Sequence, residues 1–150
     1  MRKPEDYALT IQLPAPTQNT GEVLWKIEGI LTAKAPLITK ALGIQDCPVE
    51  LVDDEHLGPL FCFAWFDSIP APEITHAASV LISKICEHAN QATRVVRTPS
   101  HAVNERFAMR CWLVRLGLVG DEHKETRHVL MRNLTGDSGR KNPPLVESEK

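Results

Sequence analysis

Apolar and polar positions alternate near the start of the chain. Tyr7, Leu9, Ile11 and Leu13 fall on one side of an extended segment, with Thr10 and Gln12 on the other. A period of two predicts a half-buried strand. After PAPTQ the period lengthens: Val23, Ile27, Ile30 and Leu31 recur at helical spacing, and Thr20 is placed to cap the first amides. Pro36 lacks an amide hydrogen and crowds the turn before it. It therefore predicts a break or kink near Ala35 and a second short helix through Leu42, closed by Gly43. VELVD (49–53) and LFCFAWF (60–66) read as a hairpin whose second strand is apolar enough to be central or covered on both faces. Residues 73–92 carry the cleanest helical stripe, running from Ile74 through Leu81 and Ile85 to Ala89.

The last third is harder to parse. A short extended piece is expected at 94–97, before Pro99. The helix Asn104–Leu116 is apolar around most of its circumference, which predicts burial on nearly all sides, with Phe107, Cys111, Val114 and Leu118 in its packed part. The turn Gly117-Leu-Val-Gly120 leads into a helix opening at Asp121 and Glu122, where carboxylates suit the positive dipole end. The stripe of that helix is His123, Thr126, Leu130 and Leu134, with Val119 leading in and Gly136 ending it. The order β-α-α-β-β-α-α-α predicts an α+β fold: a small, three-stranded, mainly antiparallel sheet packed on about five helices and ending in a helical hairpin. At 150 residues this is one domain over 1–136, with a polar, Gly/Pro-rich tail at 137–150 expected to be flexible.

The charge is unevenly distributed. Residues 1–93 hold six Lys/Arg against twelve Asp/Glu, whereas residues 94–141 hold ten against five. The basic part either packs on the acidic part or faces an anionic partner. The candidate partner-binding or nucleic-acid-binding residues are Arg106, Arg110, Arg115, Lys124, Arg127 and Arg132. Arg115 is expected to pair with a carboxylate of the first 93 residues or, failing that, to meet a partner. As a helix-turn-helix, the hairpin would present Asp121 and Glu122 to phosphates, which weakens a major-groove reading.

Catalytic patterns are sparse. Two Glu-x-x-His pairs, Glu73/His76 and Glu125/His128, have the spacing of di-metal ligands, with Glu28 and Glu105 as further donors; solvated helix faces explain them more simply. Ser100-His101 has no nucleophile elbow around it, and the four cysteines form no Cys-x-x-Cys pair. No metal, cofactor or catalytic set is expected. No apolar run approaches the roughly 20 residues of a membrane span, and no signal peptide opens the chain, so a cytoplasmic protein is expected.

The segment ERFAMRCWLVRLGLVGDEHKETRHVLMRNLTGDSG, with LTAKAPLITKALGI and FAWF upstream, resembles small bacterial "virulence-related" proteins encoded by phages and integrated mobile elements. The likeness covers most of residues 8–139. His123 stands where that pattern carries tyrosine, and longer relatives have an additional N-terminal segment. The resemblance places the chain with phage and mobile-element proteins and implies no mechanism. Together with the sparse catalytic patterns and the basic 94–141 part, it leads to the expectation of a non-enzymatic accessory protein that binds a host or element macromolecule, a protein above all. Inhibition of a host defence, as by an anti-CRISPR, is one concrete version. A nucleic-acid-binding module using the basic hairpin and a small metal-dependent enzyme are the alternatives.

Overall fold

The opening alternation forms strand β1 (Leu9–Pro14), and the long apolar stripe after it forms helix α1 (Thr20–Leu42). The structure is a computed structural model describing residues 6–99 and 101–136. The expected flexible tail, the first five residues and Ser100 lie outside the described residues. The remaining elements are β2 (Glu50–Asp54), β3 (Gly58–Phe66), α2 (Pro72–Gln91), α3 (Glu105–Arg115) and α4 (Lys124–Met131), the last entered through a single 3-10 turn at Asp121–His123. The protein is thus α+β, with four α-helices among the described residues rather than about five.

The missing boundary is the one expected at Pro36, which sits inside a continuous α1. A mid-helix proline removes one hydrogen bond and crowds a carbonyl, at about 3 kcal/mol. Here the residues on both sides, Ile30, Leu31, Leu37, Ile38, Ala41 and Leu42, are all buried. Burial of that order, about 1.5–3 kcal/mol for each large side chain, outweighs the proline. The start of α1 also differs from expectation. Asn19, in the left-handed region at φ 58°, precedes the helix, and the Thr20 hydroxyl donates to the Pro16 carbonyl instead of capping.

All strand pairs are antiparallel, in the order β1-β3-β2. The most apolar strand is therefore central, as LFCFAWF predicts. Its seven residues from Leu60 to Phe66 are all buried. Phe61, Phe63 and Trp65 join α1, α2, α3 and α4 in one core. The β2–β3 turn is closed by the Asp54 carboxylate, which accepts from the amides of His56 and Leu57 at 2.8 Å each. Those two bonds hold its carboxyl below the usual range.

The C-terminal hairpin closes on itself through polar contacts. Asn104 caps α3, its Oδ1 accepting from the Phe107 amide at 3.1 Å. Glu105 Oε1 accepts from Lys40 Nζ at 2.8 Å, from the Thr135 amide at 2.9 Å and from the Thr135 hydroxyl at 3.0 Å. Burial opposes ionisation of this carboxyl, but the Lys40 and Thr135 hydrogen bonds and the Lys40 charge together hold it below the usual glutamate range. A depressed folded value contributes stability that is complete above the ordinary glutamate range and is lost as pH falls through the folded value. Glu105→Gln is expected to lower stability by about 0.5–1 kcal/mol at neutral pH, a modest figure because the pair is partly solvated. The gap in melting temperature between the two proteins should close below about pH 4. A gap that stays constant from neutral to acid would show that the carboxylate charge does not contribute.

Candidate functional site

Helix α3 buries Met109, Trp112 and Leu113 and no other residue within its bounds. This corrects the expected burial on nearly all sides. Stepping 100° per residue, Phe107, Cys111 and Val114 lie opposite the buried side, at i, i+4 and i+7. Val114 is 50% exposed, and Phe107 and Cys111 are half-buried. Leu118, expected beside them, is buried in the core. The reason is local: past Arg115 the chain leaves the helix at Gly117, so Leu118 is aimed by the turn and not by helical periodicity. The same turn reverses the expectation for Val119, which is half-exposed.

The six cationic candidates divide into two groups. Arg106 donates through Nε to the Leu134 carbonyl at 2.8 Å and through Nη2 to the Arg132 carbonyl at 3.4 Å, tying α3 to the end of α4. Arg127 Nη1 donates to the Gly120 carbonyl at 2.8 Å and the Leu118 carbonyl at 3.3 Å, bracing the Gly-Leu-Val-Gly turn. Arg132 reaches Glu73 of α2 at 3.6 Å. Arg110, Arg115 and Lys124 are exposed and, among the described residues, make no ion pair or hydrogen bond. The expected pairing of Arg115 with a carboxylate of residues 1–93 is therefore absent among the described residues. Arg110 and Arg115 flank the Phe107-Cys111-Val114 strip, one on each side.

Beside Arg115 lies a pocket of about 260 Å³ between α1, the end of α2, residues 94–98 and α3. Lys34, Arg94, Arg115 and His88 supply its charged and titratable groups, and among the described residues no carboxylate lines it. Its apolar wall includes Ile30, Val95 and Trp112. Lys34 Nζ stands 5.5 Å from the centroid of the Trp112 ring. Burial, and after it the nearby Arg115 charge, lower the Lys34 pKa. Lys34 is the one member that the pattern could have revealed. It falls four residues after Ile30 and four before Ile38, a lysine set in the buried stripe of α1.

The outer wall of the pocket is irregular chain, where a short extended piece was expected. It is strapped to α1 by side chains. Arg97 stacks on Trp25, with the guanidinium carbon 4.0 Å from the ring centroid, and donates to the Trp25 carbonyl at 2.6 Å. Lys26 Nζ donates to the Ala92 carbonyl at 2.5 Å. Gly29 permits the close approach: a Cβ there would stand 2.8 Å from Arg97 Cγ and 3.0 Å from Val95 Cγ2.

The other candidate chemistries are placed as follows. Glu73, His76, Glu125, His128 and Glu28 are all exposed, Glu73 pairs with Arg132, and Glu105 is engaged by Lys40 and Thr135. No group of three or more His, Cys, Asp or Glu that could hold a metal occurs among the described residues. Burial pushes the Cys86 thiol up to about 12, and burial with the Asp46 charge does the same for Cys47. Thiols so shifted stay protonated and unreactive near neutrality. No helix among the described residues is long and apolar enough to cross a membrane. The fold and site define an α+β domain with an arginine-flanked apolar helix face and a cationic pocket beside it. No family model matches the chain, and no curated protein or solved structure matches it either.

Proposed function

We propose that the chain is a non-enzymatic accessory protein of a phage or mobile element, acting in the host cytoplasm by binding another protein through the outward face of α3. The observation that carries this reading is the Phe107-Cys111-Val114 strip bordered by Arg110 and Arg115, which have no partner among the described residues. An apolar centre with an arginine rim has the composition of a protein interface. Its complement is an apolar patch ringed by carboxylates, since α3 offers two cations on this side and its single carboxylate, Glu105, is engaged elsewhere. Phosphate recognition fits less well. Arg106, Arg127 and Arg132 are committed internally, and α4 is entered through Asp121 and Glu122. The mobile-element assignment rests on the resemblance of the α3–α4 sequence, and a component of a host defence complex is the concrete partner it suggests.

The test uses a photo-crosslinking residue at position 114, with Arg110→Glu/Val114→Asp as the matched variant. The expected product is a cross-link from position 114 to an acid-rimmed apolar surface of one identified protein. The double variant should bind that protein more weakly by about a hundredfold, since it removes a central contact and reverses a flanking charge. A partner bound equally by the variant, or cross-linking to nucleic acid alone, would overturn the proposal.

A further inference from the structure

We propose that the pocket bounded by α1, α3 and residues 94–98 binds a small molecule made of an anionic head, a phosphate monoester or carboxylate, on an aromatic body. This site is separate from the α3 face, and the two readings share Arg115 at their border.

Three features carry the proposal. The first is charge: Lys34, Arg94 and Arg115, with the His88 ring, bound one cavity that no carboxylate lines among the described residues. Cations brought together without a counter-charge repel one another, and among the described residues no carboxylate side chain lines the cavity to compensate them. An anion seated among them removes the repulsion and supplies the missing acceptor for charge-assisted hydrogen bonds. The Lys34 pKa is lowered chiefly by burial, and the Arg115 charge adds to the shift. The second is the wall. Ile30, Val95 and Trp112 present apolar surface beside the cations, so a bare inorganic ion would leave most of the cavity unfilled. Convergent polar groups within a mainly apolar concavity are the composition of small-molecule sites. The third is size. A volume of about 260 Å³ lies just under the range of roughly 300–1,000 Å³ typical of drug-sized ligands, which points to a body of about one ring.

The strap gives the site a preformed wall. Arg97 on Trp25, Lys26 on the Ala92 carbonyl and Val95 against Gly29 hold residues 92–97 on α1 without any ligand. Binding then need not order the segment, which lowers its entropic cost.

Calorimetric titration with phenyl phosphate, benzoate, inorganic phosphate and benzyl alcohol tests the assignment. At least one of the two aromatic anions should bind saturably, and at least about tenfold more tightly than either inorganic phosphate or benzyl alcohol. The tighter of the two identifies the preferred head. Lys34→Gln/Arg94→Gln should weaken that binding by about tenfold or more, whereas Arg110→Glu, which lies on the α3 face, should leave it unchanged. Because Lys34→Gln removes a half-buried charge, the double variant is expected to stay folded, with a native circular dichroism spectrum and no loss of melting temperature. Absence of saturable binding by both aromatic anions overturns the proposal. So does inorganic phosphate or benzyl alcohol binding as tightly as the better of the two aromatic anions, or undiminished binding by the folded double variant. Each result is independent of whether position 114 cross-links a protein, so the two proposals fail separately.

Discussion

Phe63→Ala is expected to destabilise the protein by about 3–5 kcal/mol, the largest single effect foreseen for a side-chain truncation here. Phe63 is fully buried, at 0% exposure, on the central strand. Its register partner on β1 is Ile11, and it shares one buried cluster with residues of α1 and α2. The ring also meets Trp65 edge to face, with centroids 5.9 Å apart and planes at 90°. Trp65 is in turn held by its indole N–H, which donates to the Pro48 carbonyl at 2.9 Å. A void left at Phe63 therefore borders groups fixed by the sheet ladder and by that hydrogen bond, and the site cannot collapse to fill it. Urea unfolding measures the effect as a lower midpoint with an unchanged slope. A loss below about 1.5 kcal/mol would show that the surrounding side chains relax freely, contrary to this packing.

Gly136→Ala is expected to destabilise by about 2–4 kcal/mol, although the glycine itself is exposed. Gly136 has φ 108°, which L-residues rarely adopt. A Cβ there would also stand 2.0 Å from Asn104 Oδ1 and 3.2 Å from Asn104 Cα. Asn104 must then move, and the cap of α3 moves with it. The backbone strain and the lost cap each contribute about 1–2 kcal/mol. Thermal melts of Gly136→Ala, Asn104→Ala and the double variant separate the two terms. The double variant should be less destabilised than the sum of the singles, because removing the Asn104 side chain removes the obstacle. Strict additivity would show that Asn104 is not what the new methyl group meets. Gly21→Ala, where nothing lies within 4 Å, should change stability by less than about 0.5 kcal/mol.

The contrast between the two ends of the chain explains what could be read in advance. Residues 73–92 show one apolar stripe and polar positions elsewhere, and the helix Pro72–Gln91 buries that stripe: Ala77, Ala78, Leu81, Ile82, Ile85 and Ala89. LFCFAWF is apolar at nearly every position and becomes the central strand. Pro36 misled because proline's effect is local, whereas the continuity of α1 is maintained by contacts from residues distant in the chain. The α3 face misled for the opposite reason. A helix apolar all round has no periodicity to define a side, so Phe107-Cys111-Val114 and Met109-Trp112-Leu113 are equally good candidates for burial until α4 and α1 choose between them.

The candidate cations show the same limit. Composition marks residues 94–141 as basic, and Arg106, Arg110, Arg115, Lys124, Arg127 and Arg132 stand out equally in the string. Only the folded backbone carbonyls of Leu118, Gly120, Arg132 and Leu134, with the Glu73 carboxylate, distinguish the engaged Arg106, Arg127 and Arg132 from those left at the surface. Element type and strand centrality are set by local periodicity and hydrophobicity, quantities that the amino-acid order carries directly. Which way α3 faces, and the meeting of Lys34, His88, Arg94 and Arg115 around one cavity, depend on long-range packing of four separate segments, which no local pattern encodes.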